Sequence, residues 1–172
     1  DLEVLPDLSN NFGLEKLLLE GNRLGTIFDL GWLGELRVLN LRGNKLIELS
    51  GLDELSKLRD LDISNNLIES LPPLDKLTKL EEFYAINNRL KKLGGLGNLT
   101  QIRDLVIDHN QIEELPSFEG FTNLSILHIA GNPVTYVRGL DGLPNVSGFH
   151  LSPHQTGFID LNGFKPVCHD PS

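Results

Sequence analysis

The feature that most restricts what this chain can fold into is a period. The segment from Leu36 to Asn44, LRVLNLRGN, returns every 22 residues, as Leu14 to Asn22, Leu58 to Asn66, Leu80 to Asn88, Ile102 to Asn110 and Leu124 to Asn132. A seventh copy, Val146 to His154, keeps the apolar positions and loses the asparagine. Numbered from its first apolar residue, each repeat is apolar at positions 1, 4, 6, 11, 14, 17 and 20 in all six complete copies. Separate helices or strands do not hold seven columns in phase over residues 14–145. Stacked coils do, because each buries its inner face against the next.

Each part of the repeat has a physical reading. Positions 3 to 7 alternate between outward and inward side chains, the period of a short strand. One such strand per coil predicts a parallel sheet along one side of the stack. Position 9 is asparagine in all six copies. The chain turns inward there and leaves backbone groups without ladder partners, and a buried amide offers two donors and an acceptor to satisfy them. The second half of the repeat is apolar every third place, as at Leu49, Leu52 and Leu55, which suits 3₁₀ or irregular turns. Pro72, Pro73, Pro116, Gly94 and Gly95 exclude long helices on that side. Ala85 is the one weak core residue, and the larger Phe83 is expected to fill the space it leaves.

These columns divide the chain into three parts. Residues 1–13 read as the second half of a truncated repeat, with Leu2, Leu5 and Leu8 in the apolar columns and Phe12 one place out of register. Residues 14–145 are six complete repeats. Residues 146–172 are a divergent terminal repeat with a cap or tail, where Thr156 breaks position 11 and Phe158, Ile159, Leu161 and Phe164 are apolar out of register. A capping element is expected upstream, because the first residues lack the polar face a solenoid end needs.

Composition excludes several function classes. No apolar run approaches the ~18 residues of a membrane span. The chain starts at Asp1 and contains no Met, so it reads as a processed or excised piece, and a missing leader carries no weight. The single Cys168 cannot form an internal disulfide, which points to a reducing compartment or a bacterial surface. Three sequons, at Asn98, Asn123 and Asn145, are better explained as junctions between repeats than as glycosylation sites. The compartment is left open, with the cytoplasm preferred over an extracellular setting. A formal net charge of −9 disfavours nucleic acid and anionic membrane, and favours a protein partner with a basic patch. Oligomeric state is not legible.

The 22-residue unit L-x-x-L-x-L-x-x-N-x-L-x-x-L-x-x-L-x-x-L resembles the short leucine-rich repeat subclass. That subclass includes the regulatory subunit of protein phosphatase one, axonemal and spliceosomal repeat proteins, and bacterial internalins. The resemblance implies an α/β repeat solenoid, a horseshoe with a concave parallel β-sheet and convex 3₁₀ or irregular turns, that binds another protein on its concave face. No catalysis and no cofactor are expected of the chain itself. None of these families' flanking modules is matched here, so no member's binding residues are carried over.

Candidate binding residues come from the outward positions 3, 5 and 7 of each strand. In register, equal positions of neighbouring strands lie roughly 4.8 Å apart. Asp60, Glu82 and Asp104 then form a row of carboxylates, with Asp62 and Asp108 beside it and Tyr84, Ile86 and Val106 in the middle. His128 extends the face towards the C-terminal end. Close like charges cost about 1 kcal/mol per pair, so folding alone gives no reason to gather five acids. The expectation is an acidic groove around an aromatic and aliphatic anchor that receives Lys or Arg. The face measures roughly 400 Å², against about 800 Å² per partner in a stable interface. A partner must therefore also reach loops near Arg23, Lys45, Leu67, Arg89 and His109, or the native solenoid is longer.

Three chemistries are considered and set aside. His128, His150 and His154, with Asp108 nearby, have metal-ligand character, but scattered surface histidines are the ordinary reading and no metal is assigned. The acidic row offers carboxylates to Ca²⁺, again without assignment. Ser125, Ser147 or Ser152 beside histidine suggests a hydrolase, but a shallow sheet face lacks an oxyanion hole. The expected role is an intracellular regulatory scaffold. The alternatives are an extracellular adhesion or receptor-type repeat domain of the internalin kind, or the sensor or recruitment domain of a larger enzyme.

Overall fold

The computed structural model describes residues 1–28, 30–141, 143 and 145–152. Of the divergent terminal repeat and cap or tail expected over 146–172, residues 153–172, with His154 and Cys168, lie outside the described residues. The chain winds as a right-through stack of coils, each contributing one three-residue strand to a common sheet. The strands are β1 (Lys16–Leu18), β3 (Val38–Asn40), β5 (Asp60–Asp62), β6 (Glu82–Tyr84), β7 (Asp104–Val106), β8 (Ile126–His128) and β9 (Gly148–His150). They form a seven-stranded sheet in that order, and every neighbouring pair is parallel. The pairing joins residues 22 apart, Leu39 to Leu61 and Phe83 to Leu105 for example. This is the architecture of a leucine-rich-repeat solenoid.

The strand is shorter than the alternating pattern of positions 3 to 7. Regular pairing covers positions 3 to 5, after which single bonds carry the ladder on: Leu41 N–H donates to the Asp62 carbonyl at 2.7 Å, and Gly43 N–H to the Ser64 carbonyl at 2.9 Å. Position 8 then takes a left-handed conformation in each of the six complete repeats, with φ of 67° at Gly21, 56° at Asn65 and 56° at His109. Glycine, asparagine and histidine at this position are therefore a backbone requirement.

The asparagine ladder closes the turn. Asn66 Nδ2 donates to the carbonyls of Leu41, Ile63 and Ser64, and its Oδ1 accepts the Leu46 N–H at 3.0 Å. Asn44, Asn88, Asn110 and Asn132 repeat the pattern one coil apart. At the N-terminal end, Leu2 N–H donates to Asn22 Oδ1 at 2.8 Å, as Leu24 does to Asn44. Each amide thus ties its own coil to the one before it.

The core runs through the stack as one continuous cluster of the apolar columns. Phe83 and Ala85 are both fully buried in it, and Phe118 meets Phe121 edge to face with centroids 5.4 Å apart. The other side carries 3₁₀ turns at Leu52–Glu54 and Leu96–Asn98. A two-stranded parallel ladder of β2 (Thr26–Ile27) and β4 (Glu48–Leu49) was not expected from the sequence. Two sequon asparagines have structural work: Asn123 Nδ2 donates to the Thr100 carbonyl and Asn145 Nδ2 to the Thr122 carbonyl. Among the described residues no helix is long and apolar enough to cross a membrane.

Candidate functional site

The concave sheet places the position 3 side chains in one row, Val38, Asp60, Glu82, Asp104, Ile126 and Gly148. The position 5 row beside it is Asn40, Asp62, Tyr84, Val106, His128 and His150. Both rows follow from the parallel register, since strands paired 22 residues apart repeat the same face. Asp60, Glu82 and Asp104 are adjacent, as their spacing predicts.

Tyr84 links the two rows. Its hydroxyl lies 3.2 Å from Asp104 Oδ2 and 3.3 Å from Glu82 Oε2, so one phenol stands between two carboxylates. Burial, and then the charges of Asp104 and Glu82, push the phenol's pKa well above the ordinary tyrosine range, and the hydroxyl stays a donor. Glu82 is also held by Arg103, whose Nη2 sits 2.6 Å from Oε1. Asp60 has no ion pair among the described residues. Partial burial, followed by repulsion from Glu82 and Asp62, raises its carboxyl above the usual aspartate range.

Two of the five acids have structural reasons to be where they are. Asp62 Oδ1 accepts the Ser64 N–H at 2.8 Å, the same turn closure that Asn40 Oδ1 makes with the Arg42 N–H at 3.0 Å. Asp108 is buried, and its Oδ1 accepts the Ala130 N–H at 2.6 Å. Ser64, also buried at position 7, does the same for the Ile86 N–H through its hydroxyl at 3.2 Å. Position 7 is therefore partly an internal cross-coil acceptor, and not uniformly an outward one as the alternation suggests. Folding does account for these two carboxylates, which corrects the view that all five need a ligand to explain them. Val106 is buried beneath the face, while Ile86 and His128 remain partly exposed.

The C-terminal end of the face gathers Asp108, His128 and His150. Both imidazole Nδ1 atoms face Asp108 Oδ2, at 3.6 Å from His128 and 3.4 Å from His150. The two rings meet edge to face with centroids 5.3 Å apart.

Sequence reasoning missed Arg103 as part of the site. The signal was present: position 2 of one coil lies beside position 3 of the coil before it, 21 residues back, and a cation there neutralises Glu82. It also missed the reach of Tyr84 across rows, which depends on a rotamer and carries no sequence signal.

A family model for Leucine Rich repeats (2 copies) matches residues 34–76. Among solved structures, a leucine-rich-repeat protein from Leptospira interrogans is similar at 30% identity with a TM-score of 0.70, over 80% of this chain and 37% of that one. An internalin of Listeria monocytogenes, InlF, has a TM-score of 0.67 at 21% identity, over 95% of this chain and 56% of that one. At the latter identity the likeness concerns the fold alone. The chain spans 37% and 56% of the lengths of these two structures, less than two thirds of either. No curated protein matches it.

Proposed function

We propose that this leucine-rich-repeat solenoid is a non-catalytic protein-interaction module whose concave face receives a basic segment of a protein partner. Asp60, Glu82 and Asp104 take Lys or Arg side chains. Tyr84, Ile86 and Val106 form the apolar floor, and Asp62, Asp108 and His128 border it.

The observation that carries this reading is the state of the acidic row. Asp60 is half-buried with two acidic neighbours and no cation among the described residues, an arrangement that disfavours its charged form. A partner cation placed there relieves the repulsion and regains the pairing energy at once. The Tyr84 hydroxyl, set between Glu82 and Asp104, supplies a rigid amphipathic anchor that loses little entropy on binding.

Charge reversal at two row positions tests the proposal. Asp60→Lys/Asp104→Lys is expected to lose the partners that the parent captures, while its circular dichroism and urea midpoint stay close to the parent's. Retention of the same partners by the folded double variant sinks the concave-face reading.

The setting we propose is a regulatory scaffold inside the cell, in keeping with the single Cys168. A second setting is an extracellular adhesion or receptor-type repeat domain, which the resemblance of the 22-residue unit to the internalin subclass implies. Fractionation of the native protein between cytosol and surface separates them. A catalytic domain on the same polypeptide would instead make this chain the recruitment domain of an enzyme.

A further inference from the structure

The end of the sheet at β8 and β9 brings three donor groups together, two of which, Asp108 and His128, also border the proposed partner-binding face. Asp108 and His150 belong to coils two apart, and their side chains still meet. The Ala130 N–H holds Asp108 Oδ1 at 2.6 Å, which orients the carboxylate and leaves Oδ2 facing both imidazoles. One donor atom each from Asp108, His128 and His150 lies within 4.8 Å of the others.

The spacing is compatible with a shared ion. Ligands about 2.1 Å from a tetrahedral cation stand roughly 3.4 Å from one another. The Asp108–His150 and Asp108–His128 separations are 3.4 and 3.6 Å, close to the edges of such a coordination shell, and the first is also within hydrogen-bond reach.

We propose that Asp108, His128 and His150 bind one divalent transition-metal cation of the zinc class. Two imidazoles and one carboxylate suit zinc, whereas Ca²⁺ and Mg²⁺ prefer shells made of oxygen. The fourth position is open to water or to a donor atom from a bound ligand. His150 is exposed and gives the ion its path in from solvent, and Asp108 is buried with Oδ1 held by the backbone and Oδ2 left for the ion. The site borders the face proposed for a basic partner and shares Asp108 and His128 with it, but Asp60, Glu82 and Asp104 are not among its ligands.

The test uses the full chain carrying Cys168→Ser, so that the thiol, outside the described residues, contributes nothing. The protein is stripped with a chelator and titrated with zinc alone by calorimetry. A parallel titration with cobalt(II) follows the visible bands of a tetrahedral site. The expected result is one equivalent of zinc and a tetrahedral cobalt spectrum, with Ca²⁺ unable to compete. His128→Ala and His150→Ala should each weaken zinc binding at least about tenfold while remaining folded by circular dichroism. Asp108→Asn, which keeps an oxygen for the Ala130 N–H, should weaken it as well. Absence of zinc uptake, uptake unchanged by both histidine substitutions, or displacement by Ca²⁺ would overturn the proposal.

Discussion

Asp60 illustrates a residue whose cost to the fold and proposed use by a partner have the same origin. Its carboxyl is raised by burial, by Glu82 and by Asp62, so the folded chain holds its proton more tightly than the unfolded chain does. The associated stability is fully present below the unfolded value of about 3.9 and is lost as pH rises through the raised folded value. At neutral pH, Asp60→Asn should therefore leave stability unchanged or raise it by up to about 0.5 kcal/mol, as read from urea unfolding. The same substitution should weaken binding of a basic partner by about tenfold, the loss of one charged contact. In the parent, that affinity should decline as the pH is lowered through the raised Asp60 range, and the decline should be shallower in Asp60→Asn. A clear loss of stability on Asp60→Asn at neutral pH would show that the carboxylate has a structural partner after all.

At the level of the repeat, no element holds itself together. A strand of three residues is far too short to persist alone. Its ladder bonds go to the next coil, and the turn that follows is closed by the asparagine of that same next coil. Backbone shape therefore matters wherever coils approach closely. Gly95 sits at φ 75° before the 3₁₀ turn Leu96–Asn98, and a Cβ there would lie 2.7 Å from the backbone nitrogens of Leu74 and Asp75. Its neighbour Gly94 has nothing within 4 Å of that position. Gly95→Ala should cost about 1–3 kcal/mol from left-handed strain and contact. Gly94→Ala should stay within about 0.5 kcal/mol, so the pair of substitutions, followed by thermal denaturation, isolates the turn. Equal costs for the two would mean that the approach of the coils is not what selects glycine.

Across the whole molecule, stability is a sum over interfaces between coils, so the same side chain is worth less at an end than in the middle. Leu17 in β1 and Leu61 in β5 hold the same repeat position, yet Leu17 retains 8% exposure and Leu61 none. Leu61→Ala should cost about 3–5 kcal/mol, towards the upper part of the range for fully buried leucine. Leu17→Ala should cost less, about 2 kcal/mol or below, because only one side of that coil is covered by an equivalent strand. Chemical denaturation of both variants measures the difference, and a larger loss at Leu17 would contradict a stack whose middle is its most cooperative part. Exposed ion pairs one coil apart, such as Lys57 with Glu35, edge the stack without governing it.

How much of this was legible depends on whether a property repeats. Seven apolar columns and the asparagine at position 9 were readable because every coil solves the same packing problem, and that repetition determined the solenoid, the parallel register and the row of Asp60, Glu82 and Asp104. The left-handed position 8 repeats too, but as Gly, Asn or His, a backbone requirement hidden behind three residue types. What depends on side-chain direction was not readable. Asp62 turns back to close its own turn on the Ser64 N–H, and the inward acceptor role of Asp108, the Arg103 clamp on Glu82 and the reach of Tyr84 between rows each depend on neighbours one coil away. The same holds for the meeting of Asp108, His128 and His150, donors from three successive coils. Periodicity identifies equivalent positions along the chain, whereas rotamers and occluding neighbours, which have no period, decide what those positions touch.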